Sequence, residues 1–393
     1  MGKLIDSGLK FLKTLLTVGI LYLLPITVNA QNAQPILGEK PQKFIDEFVP
    51  EPTGVEVEVW VEGLHIPWSL LFLPNGDALV AQRTGEIMKI PKGKNQQELF
   101  FKVQDVAAIG DSGLMGMALH PDFINQPFIY IMYTHGNRDN LISKVVKLRY
   151  EESSATFEKV VIDNIPAFAI HLGGRIAFGP DGMLYIGTGD LGQPFTAQDL
   201  GSLASKILRI TPEGGIPSDN PFPNSPVFSY GHRVVQGFAW HPETNMFFNS
   251  EHGPSGAEVE GYVMYRDEVN IVKKGKNYGW PIVVGAPGME AFEDPILMWN
   301  EAAFPPAGMT FYKGSLFVCS LGGQSLLKVD FEEDGVTVKK TERWFSHELS
   351  RGKYGRLRDI VVGPDGYLYV CTSNTDGRAT LRSGDDKILR LKF

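Results

Sequence analysis

Six times along this 393-residue chain, a turn is followed by a short strand of aromatic and β-branched residues. The copies are "LPNGDALVAQ" from Leu73, "HPDFINQPFIYIMY" from His120, "GPDGMLYIGTG" from Gly179, "HPETNMFFNSE" from His241, "FYKGSLFVCS" from Phe311 and "GPDGYLYVCTS" from Gly363. Each is followed by a partner strand: "GEIMKI", "SKVVKLRY", "SKILRI", "DEVNIV", "QSLLKVD" and "DKILRLKF". Several of these alternate an apolar residue with Lys or Arg, as a strand with one solvated face does. Units repeating at about 45 to 70 residues cannot bury their faces singly, but they can do so against their neighbours. Arranged radially they also leave only short edges. The expected fold is therefore all-β, a six-bladed β-propeller over residues 55–393, rather than a β-sandwich pair or a β-helix. The charged strand "VEVEVWVEGL" (Val55–Leu64) is the candidate to pair with "KILRLKF" and close the ring. Residues 31–54, rich in proline and polar side chains, read as a loose lead-in.

Residues 1–30 read as a leader rather than as part of the fold. Lys3, Lys10 and Lys13 precede the apolar run "LLTVGILYLLPITV", and Val28 and Ala30 supply small residues before a cut. The run contains Gly19 and Pro25 and is short for a bilayer span. The expectation is export to the periplasm or the exterior, with an uncleaved membrane anchor as the alternative. The chain has 37 basic and 45 acidic residues, a formal net charge of −8, which argues against nucleic acid as a partner. Cys319 and Cys371 are too few for a disulfide framework and stand as buried thiols or one bridge. The chain shows no GxGxxG after a strand, and no P-loop, GxSxG, HExxH or Cys/His zinc pattern.

Four clusters hold polar residues that blade construction does not require. In "HLGGR", two glycines after His171 permit close approach of a bound group. A neutral imidazole there could take a proton from a hydroxyl; a hydrogen-bonded loop histidine is the plain alternative. In "YGHRVVQG", Arg233 could stabilise a negative oxygen or form a structural ion pair. The stretch Ser250–Pro281 is dense in carboxylates (Glu251, Glu258, Glu260, Asp267, Glu268) and in turns that expose carbonyls. That suits calcium, and equally a solvated acidic loop. In "YGRLRD", Arg356 and Arg358 stand two apart and share one face of a strand, where they need an anion or carboxylates between them.

Taken in order, the motifs "GLHIPWSLLFLPNG", "DSGLMGMALHPDF", "HLGGRIAFGPDGMLYIGTGD", "KILRITPEG", "GHRVVQGFAWHPET", "EHGP…DEVNIVKKGKNYGWP" and "GRLRDIVVGPDG" resemble the soluble quinoprotein aldose sugar dehydrogenases, the glucose/sorbosone dehydrogenase family. The resemblance runs over nearly all of residues 55–393. It implies a six-bladed propeller that holds pyrroloquinoline quinone (PQQ) and calcium. It implies oxidation of an aldose at its C1 hydroxyl to a lactone, with an external quinone or dye-like electron acceptor and the option of a homodimer. His171 takes the place of the family's general base, which removes the hydroxyl proton as hydride passes to the quinone. Arg233 takes the place of the arginine beside the quinone oxygens, and Arg356 and Arg358 those of the arginines that contact cofactor carboxylates. The backbone carbonyls of Gly253 and Pro254 match the cofactor-calcium ligands, and Glu268 and Tyr278 a further calcium site. Asp111 stands at the position that helps place substrate, where Gln or Glu is usual.

The chain departs from this pattern in three places. Val234 follows Arg233 at a cofactor-binding position where Asn is frequent. Gly322 stands where a lysine often supports the cofactor. Loss of that cation weakens a charged contact by about 1–3 kcal/mol, with Lys353 or Arg351 as candidates to replace it. The segment 255–266 is an insertion before "DEVN". Two other functions fit the fold: a non-catalytic binding module of the hedgehog-interacting type, and a calcium-dependent lactonase-like hydrolase using Asn164, Asp190, Asn249 and Glu251.

Overall fold

The structure is a computed structural model, and it describes residues 35–39, 44–254, 256–259 and 262–393. The expected leader, residues 1–30, lies outside the described residues. No helix among the described residues is long and apolar enough to cross a membrane.

Six sheets form the blades, and within each the strands pair antiparallel in chain order from the centre outward, except for the outermost strands of the fifth and sixth blades. The innermost strands are Pro67–Phe72, Leu114–Leu119, Gly173–Phe178, Val234–Trp240, Pro306–Tyr312 and Leu357–Val362. Each touches the next, and the sixth touches the first, so the ring is closed and the fold is a six-bladed β-propeller. The repeat seen in the sequence is the second and third strand of every blade; in the third blade these are Leu184–Thr188 and Lys206–Ile210. Aromatic and aliphatic side chains from facing sheets make the core between blades. Trp68, Met115, Tyr130, Ile176 and Ile186, for example, form one cluster across the first three.

The closure is the expected one. Glu56–Val61 pairs antiparallel with Ile388–Lys392, so a strand from near the start of the described chain completes the last blade. This replaces an open edge by a hydrogen-bonded one. The lead-in is less loose than its composition suggested. Ile45–Val49 adds a parallel fifth strand to the fifth blade, and Ile36–Leu37 pairs with Val283–Val284. The local cause is Asp46, which accepts from Thr341 Oγ1 at 2.7 Å and from Arg343 Nη2 at 2.6 Å. Cys319 and Cys371 are buried free thiols.

All six innermost strands share one irregularity. Close to the start of each, the register with the second strand slips. A bulge of this kind re-aims a side chain at the rim of a sheet. Here it falls at or beside Trp68, Arg175, Gln236 and Arg358. In an antiparallel pair the start of the first strand lies beside the end of the second. One end of the channel therefore collects residues from both places in every blade.

Candidate functional site

At that end lies a cavity of about 540 Å3, lined by residues from all six blades. Of the bulge residues, Trp68, Gln236 and Arg358 line it, and Arg175 packs against them. Arg175 lies over the Trp68 ring at 4.6 Å and Arg358 at 5.4 Å. Arg175 donates to the Gln236 carbonyl at 2.8 Å and pairs with the buried Asp359 at 2.9 Å. Arg358 donates to Gln236 Oε1 at 2.8 Å.

His171 and Arg233 stand together on one wall. His171 Nδ1 lies 2.8 Å from Asp190 Oδ1, and its Nε2 lies 3.4 Å from Arg233 Nη2. Asp190 is buried at the end of the second strand of the same blade, and strand register places it opposite His171. Its oxygens also accept from Gly192 N and Trp280 Nε1, each at 3.0 Å. Burial opposes ionisation of Asp190, but the His171 hydrogen bond and the Arg233 charge prevail and hold it below the usual carboxylate value. An ionised Asp190 accepts a hydrogen bond from Nδ1–H, which leaves the lone pair of His171 on Nε2. The two glycines after Leu172 permit this turn. Both have positive φ. A Cβ on Gly173 would meet the Gly187 carbonyl oxygen at 2.7 Å, and one on Gly174 the Met115 sulfur at 2.5 Å.

Arg233 donates to the carbonyls of Gly253 and His252 and stacks over Trp280 at 5.2 Å. Arg356 pairs with the buried Asp376 at 3.0 Å, and Asp111 with Arg378 at 2.6 Å. The cavity is rich in uncompensated positive charge. Burial, then neighbouring Arg356, pushes the Arg358 guanidinium down to about 9. Burial also lowers Arg83, Arg233 and Arg356. His252 is held well below its usual value by burial, then by Arg358 and Arg233. The Nε atoms of Arg83, Arg233 and Arg358 and Nε2 of His252 are buried without hydrogen-bond partners. Such a donor-rich, cationic cavity fits a polycarboxylate with carbonyl oxygens.

The structure thus gathers Asp111, His171, Arg233, Val234, Arg356 and Arg358 around one space. Gly322 is not in its wall. A Cβ there would meet Pro305 Cδ at 2.7 Å, and Pro305 and Leu321 do the lining instead. Lys353 and Arg351 do not replace the missing lysine. They pair with Glu51 and Glu348, and neither faces this cavity.

The proposed metal ligands are dispersed. Pro254 is buried next to Gly253, whose carbonyl takes the Arg233 hydrogen bond. Glu268 is buried opposite Glu251 on the adjacent strand. Burial and the Glu251 charge raise it well above the usual carboxylate value. Asn249 Oδ1 and Asn270 Oδ1 are orphaned nearby in sequence and on the same two strands, an oxygen set that suits a hard cation. Tyr278 differs: its hydroxyl donates to the Ile271 carbonyl at 2.7 Å and accepts from Lys273 N at 2.8 Å. That leaves its carbonyl, not its phenol, as a ligand. Among the described residues, no group of three His, Cys, Asp or Glu side chains converges as a metal site. The insertion forms a small hairpin, Ala257–Val259 with Tyr262–Met264, and Gly256 at its base reaches the cavity wall.

Sequence reasoning did not single out Arg83, Gln236, His252 or Trp280, and it weighed Asp190 only for a hydrolase. The signal for Asp190 was present. The HLGG strand and the strand ending in "GTGD" form one hairpin; counting outward from its turn sets Leu172 against Asp190, and the one-residue bulge between Gly173 and Ile176 brings His171 to that place.

The family described as Glucose / Sorbosone dehydrogenase matches residues 64–383. The aldose sugar dehydrogenase YliI of Escherichia coli (strain K12) is 34% identical over 358 residues, covering 83% of this chain and 92% of its own. The PQQ-bound aldose sugar dehydrogenase of Streptomyces coelicolor superposes with a TM-score of 0.76 at 36% identity, over 87% of this chain and 99% of its own. A putative oxidoreductase (glucose dehydrogenase) of Thermus thermophilus reaches a TM-score of 0.78 at 44% identity, over 86% of this chain and all (100%) of its own.

Proposed function

Since the chain belongs to the glucose/sorbosone dehydrogenase family, we propose that it oxidises the C1 hydroxyl of an aldose to the lactone, with PQQ and calcium as cofactors and an external quinone or dye-like acceptor. The observation that carries this reading is the His171–Asp190 pair beside a cavity lined by five arginines, of which Arg83, Arg233 and Arg358 keep a buried Nε without a hydrogen-bond partner. Bound in the cavity, PQQ supplies a two-electron acceptor for the C1 hydride. Arg356 and Arg358 would hold its carboxylates, with Arg233 beside its carbonyl oxygens. The Gly253 and Pro254 carbonyls would face its calcium, and Glu268 with Glu251 would hold the further one.

The protein's own part is proton handling and positioning. His171 Nε2 accepts the proton of the sugar hydroxyl. Asp190 fixes the ring and its tautomer, and stabilises the imidazolium that results. Arg233, 3.4 Å from Nε2, stabilises the developing negative oxygen on the same side. Asp111, whose N–H donates to the Ala169 carbonyl two residues before His171, is placed to accept from sugar hydroxyls. Trp280 stacks on Arg233 and donates to Asp190, and so helps to hold both in place.

The test is dye reduction with a panel of aldoses, after chelation and re-addition of PQQ with calcium, alongside His171→Ala. Activity that requires PQQ and calcium and collapses in the variant supports the reading. Absence of PQQ binding at micromolar concentration overturns it and favours a binding module. Export through residues 1–30 is part of the same proposal. An exported protein beginning at Gln31 is the expected result, and a retained Met1 indicates an anchor.

A further inference from the structure

Five arginines line the cavity: Arg83, Arg233, Arg356, Arg358 and Arg378. Four have partners. Arg233 donates to backbone carbonyls, Arg356 pairs with Asp376, Arg358 binds Gln236 and Arg378 pairs with Asp111. Arg83 is the exception among the described residues. Its Nε is buried without a partner. The carboxylates that face it, Asp111 and Asp376, are each already engaged by another arginine. That corner of the cavity thus holds three guanidiniums (Arg83, Arg356, Arg378) against two carboxylates, and lacks one negative charge.

The position of Arg83 is fixed rather than incidental. It follows the second strand of the first blade, its N–H donates to the Ile66 carbonyl at 3.0 Å, and its own carbonyl accepts from Leu114 N at 2.9 Å. Gly113 packs directly on it: a Cβ there would collide with the Arg83 carbonyl and meet Arg83 Cγ at 2.6 Å. The stem is therefore clamped while the head has no protein acceptor. A half-buried guanidinium whose Nε is shut off from water without an acceptor carries a desolvation penalty that an anion removes. At the fifth blade, the corner where a family lysine is frequent is closed by Pro305 packed on Gly322.

We infer that Arg83 is a carboxylate-binding residue of this cavity, supplying from the first blade the cation that the fifth blade lacks. This rests on the cavity being the ligand site proposed above. The carboxylate belongs to the cofactor or to an acidic aldose such as a uronic acid, and experiment separates the two.

Arg83→Gln and Arg83→Lys would be compared with the parent protein after equal thermal stability is verified. Arg83→Lys serves alone if the glutamine variant does not fold. PQQ would be titrated with calcium by fluorescence quenching, and KM measured for glucuronate and glucose. Loss of a charged hydrogen bond predicts about a ten- to hundredfold effect in Arg83→Gln, partly restored in Arg83→Lys. Weaker PQQ binding assigns the cofactor carboxylate. A rise in KM for glucuronate alone assigns the substrate. Equal PQQ affinity and equal KM ratios overturn the inference. Benzene-1,3,5-tricarboxylate binding to the apoprotein, followed by calorimetry, needs neither PQQ nor turnover. If the parent protein does not bind PQQ, the proposed function fails. The inference then stands only if this probe binds the parent more tightly than Arg83→Gln, and falls if it binds both alike.

Discussion

Asp190→Asn removes one charge and leaves the shape of the side chain almost unchanged, so its effect isolates the electrostatics of the proposed base. Asp190 accepts from His171 Nδ1 at 2.8 Å and from Gly192 N and Trp280 Nε1 at 3.0 Å, with Arg233 Nε at 3.8 Å. Asparagine cannot serve all four. With its oxygen toward His171 and Gly192, its NH2 meets the N–H groups of Trp280 and Arg233. Turned over, its NH2 faces Nδ1 and forces the imidazole proton onto Nε2, the atom that must receive the substrate proton. Losing a charge-assisted hydrogen bond costs about 1.5–3 kcal/mol of ordering. Losing the tautomer and the stabilised imidazolium lowers kcat by about 10²–10⁴-fold, or about 3–5 kcal/mol of barrier. Steady-state dye reduction at saturating aldose, PQQ and calcium measures this, with PQQ affinity expected to change little. A kcat within about tenfold of the parent would refute His171 as a base held by Asp190. The pH dependence of stability adds a second check. Because the folded protein holds Asp190 below its ordinary value of 3.8, its contribution is fully present above that value. It is lost as pH falls through the lower, folded value. The difference in thermal midpoint between parent and variant should be level at neutral pH and shrink only in strong acid.

Three further outcomes are expected. Arg358→Met removes a buried guanidinium that no carboxylate neutralises. The apoprotein should melt up to about 3 °C higher while PQQ binding weakens about tenfold or more, as read by scanning fluorimetry and titration. Lys206 donates from the core to the carbonyls of Thr196 at 2.7 Å, Ala197 at 3.2 Å and Ala204 at 2.8 Å, clamping the loop that follows Asp190. Lys206→Met strands those carbonyls and should cost about 2–4 kcal/mol in denaturant unfolding, with faster amide exchange in residues 191–205. Glu268→Gln should leave the metal-free protein as stable or more so, since it relieves Glu251 of a facing like charge. It should also reduce the calcium-induced rise in melting temperature, a tenfold weaker affinity being worth about 1.4 kcal/mol.

The repeat was enough to establish a six-bladed propeller, because strands two and three of every blade carry turn signals and alternation strong enough to see six times over. The family resemblance of the motifs places His171, Arg233, Arg356 and Arg358 in one site, and the fold supplies the reason: each lies at or near the start of an innermost strand. Other features depended on neighbours distant in the chain. The order in Ile45–Val49 comes from Arg343 and Thr341, nearly three hundred residues on. The exclusion of Gly322 comes from the ring of Pro305, the occupation of Lys353 from Glu51, and the fate of the Tyr278 hydroxyl from its contacts with Ile271 and Lys273. Local pattern determined which strands exist and which residues reach the channel mouth, because alternation and turn chemistry act over a few residues. Only the closed ring decided which arginines found carboxylates and which did not. Charge pairing depends on distances across blades, and a linear sequence does not contain them.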